Sequence, residues 1–214
     1  MSLSSDFKDA FTAAYSASEG EGTKHEDISA DLASALTEAI STCIEGAVVT
    51  TSYAGVTVST PGTLATGVGV GSFDASGGKG DFESALYDLL MDIDGGSTFH
   101  IDFAKILTEW YESCKPTDSI SGMTLPPPPA TVTVPFAASA SGVVSAALNT
   151  AVLASSILIP QSYSPASPVV GNIHVATVWS TAVIVFLMAG MVQMVVDAPD
   201  TALLATPSVL TAFV

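Results

Sequence analysis

The chain has 214 residues, 48% of them hydrophobic, and carries 21 acidic residues against five lysines and no arginine, for a formal net charge of −16. Lys8, Lys24, Lys79, Lys105 and Lys115 cannot line a phosphate-tracking groove, so nucleic acid is not an expected partner. Two cysteines are too few for a disulfide scaffold, and Met1-Ser-Leu-Ser-Ser-Asp-Phe-Lys lacks the basic-then-apolar pattern of a secretory signal, so synthesis is expected to end in a cytoplasm.

In chain order, Phe7, Phe11, Ala14 and Tyr15 at helical spacing predict a short amphipathic helix over Asp6–Ala17, capped by Ser4 or Ser5 and ended by Gly20-Glu21-Gly22. A longer helix is predicted over Asp27–Ile44, with Ile28, Leu32, Leu36, Ile40 and Cys43 on one stripe, Asp31 and Glu38 outside it, and Gly46 as a stop. The β-branched runs Val48–Tyr53 and Gly55-Val-Thr-Val, then Thr66–Phe73, read as strands around a Pro61-Gly62 turn. The pattern restarts at Asp81-Phe82-x-x-Ala85-Leu86, an echo of Asp6-Phe7-x-x-Ala10-Phe11, with helices expected from there to Ile93 and over Thr98–Cys114. Gly122-Met-Thr-Leu then matches Gly55-Val-Thr-Val, and Pro126–Pro129 form a stiff spacer into Ala130–Val134. A third pass is expected as helices over Phe136–Ile159 and Ile173–Val196, with Pro199 as a stop and Thr201–Val214 as an extended tail.

The fold class expected from this reading is mainly α with small β elements: tandem helix-pair units, each followed by a short Gly/Pro-rich β segment. The units are 1–79, 80–134 with its polyproline linker, and an uncharged apolar helical unit with its tail over 135–214.

Charge divides the chain in two. All five lysines and 19 of the 21 acids precede Ser119, and the run Ser119–Val196 has no Asp, Glu, Lys or Arg. A stretch of that length without charge must face its own chain, other subunits or lipid. The Ile173–Val196 helix is apolar almost all round, which predicts a subunit contact through Val178, Ala182, Val185, Phe186, Ala189 and Val192, enclosed on every side by more than the first two units can supply.

The order of an amphipathic helix pair, a Gly-φ-Thr-φ strand and Pro/Gly-rich sequence with the Gly67-Val-Gly-Val-Gly71 run resembles virion structural proteins of tailed bacteriophages and related contractile particles. The resemblance covers roughly residues 1–134, and the third unit departs from it. It implies a non-enzymatic subunit of a capsid, neck or tail, made in the host cytoplasm and located in the virion. Its partners would be copies of itself and other particle proteins. It transfers no functional side chain.

No catalytic, cofactor or metal residue is assigned. His25, His100 and His174 each stand near the start of a second helix, which suits a metal or pH-sensing cluster or simply polar residues at helix N-termini. Gly67–Gly71 lacks the Gly-Lys-Ser/Thr end of a P-loop and reads better as a strand or close-packed β turn. Asp88, Asp92 and Asp94 lack the register of an EF-hand. Cys43 and Cys114 end matching helices, and packing of the units could bring them together as a disulfide or as a buried pair of free thiols. The leading expectation for function is a structural subunit. The alternative is an integral membrane protein with one or two apolar helices, since the 22 uncharged residues Val175–Val196 would span ~33 Å as a helix.

Overall fold

The fold is that of a computed structural model describing Asp9 and residues 24–57, 63–92, 98–125, 133–145, 150–161, 168–196, 201–205 and 209–213. For residues 56, 57, 145, 159–161, 168–176 and the last two strands the description stops at the backbone. The expected helix over Asp6–Ala17, with Phe7, Phe11 and Tyr15, and the polyproline run Pro126–Pro129 lie outside the described residues.

Helix α1 (His25–Gly46) runs without a loop into strand β1 (Ala47–Thr57), which turns back as β2 (Leu64–Asp74). Helices α2 (Lys79–Met91) and α3 (Phe99–Ser113) lead to β3 (Lys115–Leu125) and β4 (Val134–Ser145). Helices α4 (Thr150–Gln161) and α5 (Pro168–Met188) lead to β5 (Met191–Val196), β6 (Thr201–Ala205) and β7 (Val209–Phe213). The strands form one antiparallel sheet in the order β5-β4-β3-β2-β1-β6, with β7 also on β1. The sheet curls until β5 meets β6 and β7.

This corrects the expected fold class. The strands are not small appendages to helix pairs; four of them have 11 or 12 residues and join all three passes of the chain into one sheet. The long helix expected over Phe136–Ile159 is strand β4 as far as Ser145, because Phe136, Ala138, Ala140, Gly142 and Val144 point inward while Ala137, Ser139, Ser141 and Val143 point to solvent, a period of two. Its Ala/Ser content disguised that alternation. The helix expected over Ile173–Val196 breaks at Gly190, and Val192 belongs to β5, paired with Val144 of β4. Helices α1, α2 and α3 lie where the apolar stripes place them, within two residues at each end.

A repeat is written into the interior of the helical layer. Leu36, Phe103 and Trp179 hold matching places in α1, α3 and α5, as do Thr37, Ala104 and Ser180; Ile40, Leu107 and Val183; Cys43, Trp110 and Phe186; and Ile44, Tyr111 and Leu187. All of them are buried. Phe82 and Leu86 of α2 likewise match Leu153 and Ile157 of α4, again all buried. Spacings of one, three and four residues keep each set on one helix face, so each pass buries a stripe of the same shape with different side chains.

Aromatic side chains knit the second pass to the third. Trp179 stacks on Phe99 and packs tilted against Phe103, at 5.5 Å from each, and Tyr111 packs against Phe186 at 5.9 Å while its hydroxyl donates to the Leu187 carbonyl at 2.8 Å. Phe82 stacks on Trp110 at 4.5 Å, and the Trp110 indole N–H donates to the Ala75 carbonyl. The expectation that the earlier units could not enclose the apolar helix is thereby overturned for one side of it: Trp179, Ser180, Ala182, Val183, Phe186 and Leu187 are buried within the monomer.

Inside the curled sheet, Gly67, Gly69 and Gly71 of β2 face the interior, and Val68 and Val70 face out. Their lack of side chains makes room for the neighbours. A Cβ at Gly69 would lie 2.6 Å from the Asp118 carboxylate and 2.7 Å from the Tyr53 ring, and one at Gly71 would collide with the Thr117 carbonyl. Gly71→Ala should therefore lower stability by about 1–3 kcal/mol, whereas Gly80→Ala, with open space around its Cβ in the first turn of α2, should be neutral or stabilising by up to about 1 kcal/mol. Urea denaturation of both variants checks this; equal losses would contradict an inward glycine stripe.

Candidate functional site

Two places in the described structure concentrate unusual chemistry: a polar pair inside the sheet, and the uncharged outer surface of the molecule. The polar pair is built by register. β1 and β3 flank β2, so the inward residues Tyr53 and Asp118 reach across the glycine stripe toward each other. The Tyr53 hydroxyl donates to Asp118 Oδ2 at 2.8 Å. Asp118 is only 3% exposed, and its Oδ1 has no hydrogen-bond partner among the described residues. Burial, followed by the bond to Asp118, pushes the Tyr53 phenol above its ordinary range. A carboxyl and a phenol held this way give the interior a directional contact. That contact ties the register of β1 to that of β3 across the glycine stripe.

Cys43 and Cys114 are both buried and free. In the repeat Cys43 matches Trp110, whereas Cys114 matches Ala47 at the first strand junction, so the two thiols hold non-equivalent places. The Cys114 thiol is directed at the Trp110 carbonyl, 3.4 Å away. Burial pushes each thiol up to about 12. His25 is exposed at the start of α1, His100 is half-buried in the first turn of α3, and the His174 side chain lies outside the description. Among the described residues no group of three His, Cys, Asp or Glu could hold a metal ion.

The outer surface is divided by charge. Glu26, Asp27, Asp31, Glu38 and Glu45 line α1, and Asp81, Glu83, Asp88, Asp102, Glu109 and Glu112 line α2 and α3. Two ion pairs offset little of this: Lys79–Glu38, which ties α2 to α1 at 2.6 Å, and a loose Lys105–Glu109 contact at 3.9 Å. The outward face of the sheet carries Asp74 and Lys115 only at its helical end. Beyond them, Ser72, Thr117, Ser119, Ser139 and Ser141 line a shallow depression of about 450 Å³. Farther along the strands come exposed Val68, Met123 and Leu125. Helices α4 and α5 add a second uncharged surface.

The residues expected to form a subunit contact scatter over this frame. Val185 on α5 and Ala189 just past its end are exposed, Val178 is half-buried, Ala182 and Phe186 are buried against neighbouring helices, and Val192 is inside the sheet. The Tyr53–Asp118 pair escaped sequence reasoning because the two lie 65 residues apart. The one available signal was an aspartate at an inward position of an alternating strand. In comparisons with known proteins, the chain matches no protein family, no curated protein and no solved structure.

Tyr53→Phe should cost about 3 kcal/mol, because it strips a buried carboxyl of its donor. Adding Asp118→Asn should recover part of the loss, and strict additivity in the double-mutant cycle would show that the pair is uncoupled. The thiols predict an alkaline effect. An unfolded thiol ionises near 9 and the folded ones near 12, so the unfolded chain releases protons first. The contribution is complete below pH 9 and falls as pH rises toward 12. Chemical denaturation across that range should show a shallower decline for Cys43→Ala/Cys114→Ala than for the wild type.

Proposed function

We propose that this chain is a non-enzymatic structural subunit of a large assembly, and that the assembly is a virion of the tailed-bacteriophage class, in its capsid, neck or tail. The observation that carries the reading is the separation of charge from apolar surface. Acids crowd α1, α2 and α3, while the outer sheet face and the α4–α5 surface expose Val68, Met123, Leu125, Val143, Val152 and Val185 with no charge among them. Exposed apolar area on this scale is a liability for a free monomer and an asset for a subunit that is covered on assembly. The acidic helices keep the unassembled chain soluble and oppose indiscriminate contacts.

The membrane alternative has less to support it: no helix among the described residues is long and apolar enough to cross a membrane, and the uncharged run that would span one is divided between α5 and β5.

Fractionation of a producing culture tests the reading. The chain should occur in purified particles at a fixed ratio to the other particle proteins, measured by quantitative mass spectrometry. Recovery solely as free chain, or in membranes resistant to carbonate washing, would refute it.

A further inference from the structure

We propose that the outer face of the α4–α5 helix pair is a two-fold contact between copies of this chain; the inference rests on the assembly reading and names the surface and the partner. It starts from two matched hollows. Between α2 and α3 a hollow of about 200 Å³ is lined by Asp81, Phe82, Ala85, Ile106, Glu109 and Trp110, with Gly78 and Ser113. The matching positions of the third pass, Val152, Leu153, Ser156, Ala182, Val185 and Phe186, line a hollow at the same place between α4 and α5. The floors are alike, since Phe82 and Trp110 are buried in one and Leu153 and Phe186 in the other.

The rims differ. Where the second pass has the carboxylates Asp81 and Glu109, the third has Val152 and Val185, 59% and 54% exposed. The next exposed position repeats the contrast, with Glu45 in α1, Glu112 in α3 and Met188 in α5. The backbone presents these positions to solvent in the second and third passes alike, and only the third fills them with apolar side chains. Folding does not require the valines, because the same fold accepts carboxylates there. A partner that removes them from water does.

Three features make that partner a second copy. With a net charge of −16, two copies meeting through α1, α2 or α3 would press acid on acid, whereas this face brings no charge to the contact. The patch is self-complementary: Val152 is exposed on α4, and Val185 stands on the rim of a larger hollow of about 320 Å³ whose other lining residues are Ser156, Thr177, Val178, Thr181 and Ala182. A two-fold axis can seat the valines of each copy in the hollow of the other, as an isologous contact demands. The size also suits: the 21 residues of α5 and the 12 of α4 are ~32 and ~18 Å long, and at ~10 Å width each they give a footprint of roughly 500 Å² per copy, reaching the ~1,000 Å² in total that a specific interface needs.

The decisive variant is Val185→Glu/Met188→Glu, which installs on α5 the residues that α3 carries at the same exposed positions, Glu109 and Glu112. Sedimentation velocity should show the wild-type chain as a dimer. The variant should be a monomer with unchanged circular dichroism and thermal midpoint, its dimer dissociation constant raised at least about 100-fold. Val68→Glu, on the outer sheet face, should dimerise as the wild type does. If the double variant misfolds, Val152→Glu, whose counterpart in α2 is the carboxylate Asp81, repeats the test on the other helix. A wild-type monomer, or a folded variant with an unchanged dissociation constant, overturns the proposal. A wild-type monomer that nevertheless occurs in purified particles at fixed ratio sinks this contact and leaves the assembly reading standing; a dimer through this face in a chain missing from particles does the reverse.

Discussion

The structure depends on the aromatic contact between α3 and α5. Phe99 stacks on Trp179 and Phe103 packs tilted against it, and Tyr111 packs on Phe186 while its hydroxyl caps the Leu187 carbonyl near the end of α5. That carbonyl is one of the last in a helix that ends at Met188, where i+4 partners run out; it accepts the Gly190 N–H at 3.2 Å and takes the Tyr111 hydroxyl as a second donor. At Gly190 the approach is close enough that a Cβ would lie 2.6 Å from the Tyr111 ring. The residue at the helix-to-strand junction is thus small so that the tyrosine of the preceding pass can lie across it, and β5 can leave in the direction that pairs it with β4. An uncharged helix that would otherwise need an external cover gains part of that cover from α3, an acidic neighbour.

The same economy of space governs the sheet. A curled sheet has less room inside than outside, and glycines at Gly67, Gly69 and Gly71 concede their volume to Tyr53, Asp118, Ile120 and Phe136 from neighbouring strands. The outward valines between them keep the β propensity that the glycines lack. A single buried aspartate with one donor is a costly way to fill this interior. Its return is specificity: slipping β3 by one residue would turn Asp118 out and bring an unmatched side chain in.

Charge placement then divides the surface in two. The acids sit on α1, α2 and α3, and the outer sheet face and third helix pair carry almost none; in the assembly we propose, the first set would repel copies and the second would be covered. Because equivalent positions in the three passes share burial but not chemistry, the differences among them bear on function more directly than any single residue does. Glu109 and Val185 occupy the same kind of exposed site, and what distinguishes them is charge.

The sequence by itself determined the helices α1, α2 and α3, the recurrence of helix, helix and strand, and the partition of charge. Those features are local: periodic stripes around Leu36, Leu86 and Leu107, glycine stops, and counts of ionisable residues all survive without knowledge of partners. Only the tertiary structure decided that the strands form one sheet, that Ala137–Val144 is extended rather than helical, and that the uncharged run divides at Gly190. Small residues such as Ala and Ser fit either conformation, so the choice passes to whichever neighbour can satisfy the backbone, here β3 for β4 and β4 for β5. The Tyr53–Asp118 bond and the matched hollows share that origin. They depend on register between distant segments, which hydrogen bonding across strands and packing across helices supply and periodicity along one segment does not.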